Sequence, residues 1–559
     1  MNLSIKHYLI LLLLSLITIQ TKAQKNSSYP AGIKHVVVIG IDGMSPDGIR
    51  KAKSPVMHKM IAGGAVKWNV RTVLPSSSSP NWASLIMGAG TEAHGILDND
   101  WEMDNATLPP VVSGKSGLFP TIFSVIRRSE PSAPIAAAYQ WEGFGRLIES
   151  GDLSFNKPFK TEDSTAAEFI KYLVKKQPVF AFLQLDDVDG AGHGEGHGTP
   201  AYYLAVAKAD SLIGEVVKGI KDAGMESNTL VIIVADHGGI GYGHGGATLA
   251  EAEVAMIFYG SGMKKGYQIR QQVYTYDLAA SIAFALKITP PYAWTGRPVK
   301  SAFINFDEPE NLWMGKEVIA PPTIYPDKYL YAQAGGLYID QPATVKMAAA
   351  AAKDEIRYTT TGKQPDKNST LYGPPFTLDR SAVVKARAFD KKGNESLTVT
   401  AYFRIAKSNA GNGLKTSFYT GKEWKHLPPF AELTPDKTWI SPEFNLSKAQ
   451  LQPLLKKDSS TFAVAMEGYI DIDVAGEYTF YTQSDDGSQL FVKDQKVVDN
   501  NDSHGVIERS GKIYLAQGRH AIRANYFNEM GGFWLDAFYE GPGLVKQLIP
   551  AGKLFLNTQ

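Results

Sequence analysis

The sequence contains no cysteine in 559 residues. That excludes disulfides and thiolate metal sites alike. Any transition metal held by this chain must be ligated by His, Asp and Glu, a donor set that suits zinc or manganese in an open catalytic site. Charge of one sign is lacking too: 57 Lys and Arg stand against 56 Asp and Glu, a formal net charge of +1. Such a balance offers no basic stripe, so no specific nucleic-acid binding is expected. Long apolar runs are scarce. The run at 10–19, behind Lys6 and His7, is too short to span a bilayer as a helix. With Thr21-Lys22-Ala23 as a small-residue cleavage site, residues 1–23 read as a signal peptide and Gln24 as the mature N-terminus. The alternative for that run is a membrane anchor. A lipoprotein would need a Cys at the cleavage site. No second long run follows, so no membrane span is expected after signal cleavage, and the expected location is periplasmic or secreted.

A chain of this length should hold several domains. From residue 33 to about 306, short apolar runs alternate with amphipathic helical patterns. That predicts an α/β fold, a mostly parallel sheet with helices on both faces. Thr199 and Pro200 open one helix that runs to Gly224, with Leu204, Ala205, Ala209, Leu212, Ile213 and Val216 as its core face. A second runs from about Thr165 to Lys176, with Phe169, Ile170, Leu173 and Val174 inward. Beyond Pro309 the helical period fades. Two all-β domains are expected, a small β-sandwich at 320–405 and a larger domain at 414–556. The stretch 408–413, rich in Gly and Asn, reads as a flexible linker.

Three strand-like runs end in acids. The run at 231–235 is followed by Asp236-His237-Gly238-Gly239; the run at 35–41 by Asp42-Gly43; the run at 179–185 by Asp186-Asp187-Val188-Asp189, then Gly192-His193. Ligands in open α/β sheets sit beyond the carboxyl ends of the strands. Three such ends delivering acids to one edge predict a polynuclear metal site, although a lone Asp-Gly is as often a turn. Asp189 and His193 have i,i+4 spacing, and His193, His197 and His244 all sit in Gly-His-Gly. Imidazoles in glycine-rich loops have little to pack against and are expected to bind something. Four serines, Ser76 to Ser79, precede Pro80-Asn81-Trp82, a helix opening. A serine there can serve as a nucleophile whose phosphorylated form meets backbone donors, or it can be a helix cap. Chemistry alone does not choose among the four.

The motifs taken together resemble the alkaline phosphatase superfamily, in its type I phosphodiesterase/nucleotide pyrophosphatase branch. The resemblance rests on Ile41-Asp42-Gly43-Met44, Pro75 to Asn81, Thr91-Glu92-Ala93-His94-Gly95-Ile96, Asp189-Gly190-Ala191-Gly192-His193, Ala235-Asp236-His237-Gly238 and His244-Gly245. Tyr276-Asp277-Leu278 and Gly296-Arg297-Pro298-Val299 resemble the family's closing helix and loop. The first domain, residues 24–306, is expected to carry it. The resemblance implies two Zn2+ ions, or Mn2+, which N/O ligands also accept. Asp42, Asp236 and His237 match the ligands of the ion that activates the nucleophile; Asp189, His193 and His244 match those of the ion that binds water. It selects Ser78 as nucleophile and as a ligand of the first ion. It assigns Asn99 to a non-bridging phosphate oxygen. This chain departs from the branch in having Ser where Thr is usual, and in placing His244 only seven residues after His237.

Tyr358 to Pro365 and Lys385 to Phe389 resemble the chitobiase/hexosaminidase C-terminal type of module. Ser484-Asp485-Asp486-Gly487-Ser488, with Gly518 to Arg523 and Gly541-Pro542-Gly543, resembles the protective-antigen-type β-domain. That resemblance implies a possible glycan partner and Ca2+ at Asp485 and Asp486; a tight turn is the other reading of the pair. The function so implied is dizinc hydrolysis of a phosphodiester or nucleotide pyrophosphate through a phospho-serine. Rival readings are a phosphomonoesterase, a sulfatase, which needs Arg where Trp82 stands, and an inactive glycan-binding adhesin.

Overall fold

Runs of Val, Ile and Phe, buried on both faces, set the centre of the first domain. The computed structural model describes residues 28–313, 319–327, 333–408, 411–420, 424–446, 451–455, 461–529 and 532–557; the expected signal peptide lies outside them. The chain divides into two compact units. One comprises the chain up to Ile240 with His244–Leu312, the other Gly241–Gly243 with Trp313–Gln559. No helix among the described residues is long and apolar enough to cross a membrane.

In the first unit eight strands form one sheet: β1 (His35–Ile41), β2 (Ala65–Arg71), β3 (Ile135–Tyr139), β4 (Phe155–Pro158), β5 (Phe180–Leu185), β6 (Thr229–Val234), β7 (Glu253–Gly260) and β8 (Tyr267–Gln268). Their spatial order is β4-β3-β5-β1-β6-β7-β2-β8. From β4 to β6 all pairings are parallel; β7 is antiparallel to both neighbours. Every residue of β5 and β6 is buried, as a parallel strand covered on both faces requires. The register pairs Ile41 with Leu185 and Gly40 with Val234, so the strand ends carrying Asp42, Asp186 and Asp236 come level with one another.

The helices are α1 (Pro46–Lys51), α2 (Pro55–Gly63), α3 (Ser78–Met87), α4 (Thr91–His94), α5 (Ile122–Ser129), α6 (Glu142–Gly145), α7 (Glu162–Lys176), α8 (Asp187–Glu195), α9 (Pro200–Asp222), α10 (Leu249–Ala252) and α11 (Asp277–Ala285). Thr199 caps α9 by accepting from Tyr202 N at 3.3 Å. Its buried face is Tyr202, Val206, Ala209, Leu212, Ile213, Val216 and Ile220. Leu204, expected on that face, is 71 % exposed, because it lies off the stripe that Tyr202 and Val206 begin. Val174 in α7 is likewise exposed, one position past the buried Leu173. Asp277 opens α11 and ties the closing loop to it, accepting from Arg297 N at 2.8 Å.

His94, at the end of α4, is 2 % exposed. Ile96 N donates to its Nδ1 at 3.1 Å, so the ring proton sits on Nε2 and is donated to Ser84 Oγ at 2.9 Å. Burial pushes its pKa from 6.5 to about 3. Below the first value the unfolded chain takes up a proton that the fold refuses. The stability contributed here is therefore complete above about pH 6.5 and is lost as the pH falls towards about 3, by up to about 1.4 kcal/mol per pH unit. Urea unfolding between about pH 6 and pH 4 should show a slope flatter by roughly that amount in His94→Gln. Equal slopes in the two proteins would refute the assignment.

The second unit is all-β. Ala334–Ile339, Val399–Ala406, Ala382–Phe389, Glu355–Thr359 and Thr370–Leu371 form a five-stranded sheet, and Phe376–Leu378, Ala343–Ala348 and Thr323–Tyr325 a three-stranded one. Residues 414–555 build a seven-stranded and a four-stranded sheet. An α/β domain followed by all-β structure is thus what the chain adopts. The described part of the expected linker is tied down: Gly413 N donates to Leu554 O and Asn412 Nδ2 to the same oxygen, both at 2.9 Å. Arg404, on Val399–Ala406, forks onto Glu443 through Nε at 2.6 Å and Nη2 at 3.0 Å. Ser484 to Ser488 is a corner rather than a hairpin, since Gly476–Asp485 belongs to the four-stranded sheet and Ser488–Val492 to the seven-stranded one.

Candidate active site

The three level strand ends place their acids in one buried cluster. Asp42 follows β1 directly. Trp82 Nε1 donates to its Oδ2 at 3.0 Å and Gln184 Nε2 to the same oxygen at 3.1 Å. Oδ1 has no hydrogen-bond partner and lies 3.5 Å from His237 Nε2. Asp236 is arranged alike: Gly43 N donates to Oδ1 at 3.2 Å, while Oδ2, also without a hydrogen-bond partner, lies 3.2 Å from His237 Nε2. His237 Nδ1 donates to Gly238 O at 2.8 Å, which fixes the tautomer and leaves Nε2 as a bare acceptor. Ser78 Oγ is 3.2 Å from that same nitrogen. A carboxylate oxygen, an imidazole lone pair and a hydroxyl thus converge.

Asp189 and His193 do not lie in a loop as expected. They sit on α8, whose i,i+4 spacing puts them on one helical face with His193 Nε2 3.2 Å from Asp189 Oδ2. His244 Nε2 lies 3.8 Å from the same oxygen. His244 Nδ1 donates to Ser76 O at 3.1 Å, and Ser76 Oγ accepts from Gly245 N at 3.1 Å and donates to Gly246 O at 2.7 Å. The serine segment therefore anchors the His244 loop, which explains how a ligand so soon after His237 still faces the cluster. The two rings stack at 3.7 Å. Two groups of donors are close enough for one ion each: Asp189, His193 and His244, which is the second expected set, and Asp42, Asp189 and His237, in which Asp189 stands in place of Asp236.

Electrostatics give these groups a reason to bind cations. Burial, then the charges of Asp236, Asp186 and Asp189, push Asp42 well above the usual carboxylate range. Burial and Asp189 do the same to Asp236. Asp189 is held low: burial opposes ionisation, but the His193 hydrogen bond and the nearby imidazoles outweigh it. Burial keeps His237 and His244 neutral, with their lone pairs available. Several carboxylates crowded in low dielectric repel one another, and divalent cations remove that repulsion. The unsatisfied oxygens of Asp42, Asp189 and Asp236, with neutral imidazoles opposite, form an N/O set that fits such ions.

Ser78 is the first residue of α3, with Ser77 as the cap residue, and Ser79 is buried. The helix start offers an anion fewer donors than expected. Ser79 N donates to Asn99 Oδ1 at 2.8 Å, Asn81 N donates to Ser77 O at 3.2 Å, and Pro80 has none. The side-chain oxygen of Asn99 is thus engaged, and Nδ2 is its remaining donor. Asn99, Trp141, Glu142, Gly143 and Arg146 line a cleft of ≈ 430 Å³. Trp141 is the aromatic side of this cleft, and the nearby Tyr139 is buried. Arg146 donates to Glu102 Oε1 and Asn99 O, both at 2.7 Å.

Three further positions are part of this cluster. Ser76 anchors His244. Gln184, an amide inside the apolar strand Phe-Ala-Phe-Leu-Gln-Leu, was detectable as a polar residue at a fully buried position. His197 is buried beside Asp189, its Nε2 3.8 Å from Oδ1, with burial lowering its pKa to about 4. Glycine is required around it: a Cβ at Gly239 would meet the ring at 2.2 Å. In the second unit Asp485 and Asp486 occupy the corner. Asp486 Oδ1 accepts from His504 N at 2.9 Å and Oδ2 from Glu529 N at 2.7 Å, so protein donors already account for this acid.

Comparison with known proteins agrees with the motif reading. The family model for type I phosphodiesterase / nucleotide pyrophosphatase matches residues 36–242, that for the chitobiase/beta-hexosaminidase C-terminal domain residues 333–400, and that for the PA14 domain residues 412–545. The resemblance is shown, with the three modules in the expected order. Ectonucleotide pyrophosphatase/phosphodiesterase family member 1 of Mus musculus is 25 % identical over 193 residues, 33 % of this chain and 21 % of that protein. Family member 5 of Homo sapiens is 23 % identical over 212 residues, 36 % of this chain and 44 % of that one. The chain thus spans less than half the length of these relatives. The solved structure of human ectonucleotide pyrophosphatase / phosphodiesterase 5 is 16 % identical, with a TM-score of 0.42, covering 48 % of this chain and all of that one.

Proposed function

We propose, from the match of residues 36–242 to the type I phosphodiesterase / nucleotide pyrophosphatase family, that the chain is an exported metal-dependent hydrolase of phosphodiesters or nucleotide pyrophosphates. Catalysis resides in residues 24–306. The observation that carries the reading is the convergence of Ser78 Oγ, His237 Nε2 and the free oxygens of Asp42 and Asp236. Asp42, Asp236, His237 and Ser78 would hold one divalent cation, and Asp189, His193 and His244 another; Zn2+ and Mn2+ both suit them. Bound there, such ions lower the pKa of a hydroxyl or water and neutralise charge on the phosphoryl oxygens.

The protein's own groups then have defined tasks. Ser78 Oγ attacks phosphorus, and its proton passes through solvent to the leaving oxygen. A bond from Oγ to phosphorus forms, and the bond to the leaving alcohol or phosphate breaks. Water cleaves the phospho-serine, returning the hydroxyl and releasing the phosphoryl product. Asn99 Nδ2 donates to a non-bridging oxygen, and the Trp141 cleft takes the second ester group. The β modules serve to place the enzyme on a glycan-bearing surface.

Diesters are expected to be preferred over monoesters. A monoester dianion wants a cation, typically an Arg fork. The Arg in the cleft, Arg146, has both Nη groups engaged and a carboxylate on one of them. The test is kcat/KM on matched nitrophenyl diester and monoester substrates. A monoester preference of about tenfold, ~1.4 kcal/mol, would overturn the diesterase reading.

A further inference from the structure

Gln184 is fully buried and makes four hydrogen bonds to three parts of the site. Its Oε1 accepts from Gln140 N at 3.1 Å and from Trp141 N at 3.0 Å. Two backbone donors aimed at one end settle the orientation of the amide, because only the oxygen can receive them. Its NH2 end therefore faces Asp42, donating to Oδ2 at 3.1 Å and to Asp186 Oδ1 at 3.3 Å. Together with Trp82 this saturates Oδ2 and turns Oδ1 towards His237. Trp141 in turn lines the cleft.

We propose that Gln184 is a positioning residue that couples the two halves of the site, holding Asp42 for a divalent cation and the Gln140-Trp141 segment for the organic part of the substrate. The inference rests on the metal-dependent reading above. Its physical content is that one amide fixes both. A change there must loosen a metal ligand and the cleft wall together. Gln140 supplies a built-in contrast. Its Oε1 accepts from Asp186 N at 3.1 Å and its Nε2 donates to Asp187 Oδ1 at 2.7 Å, so it steadies the cleft segment without touching Asp42.

The test uses the full chain, with Zn2+ titrated against a chromophoric chelator and KM and kcat measured on bis-nitrophenyl phosphate at saturating Zn2+. Gln184→Met keeps the length and removes the hydrogen bonds. It should weaken Zn2+ binding by about 10- to 100-fold, as loss of an outer partner of a ligand does, and raise KM about fivefold, the worth of one hydrogen bond. Gln140→Met should raise KM with Zn2+ affinity unchanged. Gln184→Asn retains the amide but cannot reach both partners, and is measured in the same way if the Met variant does not fold. Unchanged Zn2+ affinity at position 184, or weakened affinity with an unchanged KM, overturns the coupling. So does a Gln140→Met protein that loses Zn2+ as severely. A wild-type chain that binds neither Zn2+ nor Mn2+ overturns the metal-dependent reading itself, and this inference with it.

Discussion

Alanine at Ser78 is expected to lower kcat on diester and monoester substrates alike by about 10³-fold or more, because the Ser78 hydroxyl is the one that meets His237 Nε2 in the cluster. The neighbouring serines provide the control. Ser77 is the cap residue of α3 and makes no side-chain cap bond, so Ser77→Ala should retain most activity. Ser76 acts through His244. Its hydroxyl bridges Gly245 N and Gly246 O, and losing it should loosen that loop and weaken metal binding. The Ser76→Ala loss should therefore shrink when metal is added in excess, while the Ser78→Ala loss should not. If excess metal restores Ser78→Ala, or if Ser77→Ala is the dead variant, the nucleophile has been assigned to the wrong residue.

His237→Ala is expected to reduce bound divalent metal from about two ions per chain to less than one, as elemental analysis of the purified proteins would register. The effect should exceed a single ligand's share. His237 Nε2 faces Asp42 and Asp236, and its ring also stacks on His244 at 3.7 Å, so its removal disturbs both donor sets. Without the cation that His237 helps to hold, nothing offsets the mutual repulsion of Asp42 and Asp236, which favours protonated, non-ligating carboxyls. Activity should fall with the metal content. Full metal occupancy in the variant would remove His237 from the ligand set.

Most of the first donor set was readable because its logic is local. An apolar run followed by Asp-Gly or Asp-His-Gly marks a strand end, and strand ends are where such sheets gather ligands. The meeting of Asp42, Asp236 and His237 at one sheet edge needed no more than that, whereas their assignment to one ion came from the family resemblance. The segment of Asp189 and His193 misled, since five glycines in 190–198 suggest loop; burial against the sheet and α9 supports a helix that propensity would not. Leu204 and Val174 failed for a smaller reason: an apolar residue one step off a helical stripe still looks like part of it. Gln184 and the anchoring task of Ser76 were not assigned because their partners lie far away in sequence. Gln184 reaches Asp42 across 142 positions, and nothing in either neighbourhood announces the other. At the Asp485-Asp486 pair the pattern alone could not show that backbone donors meet the second acid at a corner between sheets.

The strand order of the first sheet has a consequence for how the protein comes into being. Asp42, Asp189 and Asp236 meet only after β1 has been flanked by β5 and β6, strands that the ribosome delivers more than a hundred residues later. Contacts of such separation form slowly and late. No partial chain that lacks β6 can own the cluster, so a metal ion cannot template this fold in the way that zinc templates a finger. Packing of the β1, β5 and β6 apolar residues must come first. An ion captured afterwards deepens the well by mass action. The order of events is then fixed by topology: chain, core, cation.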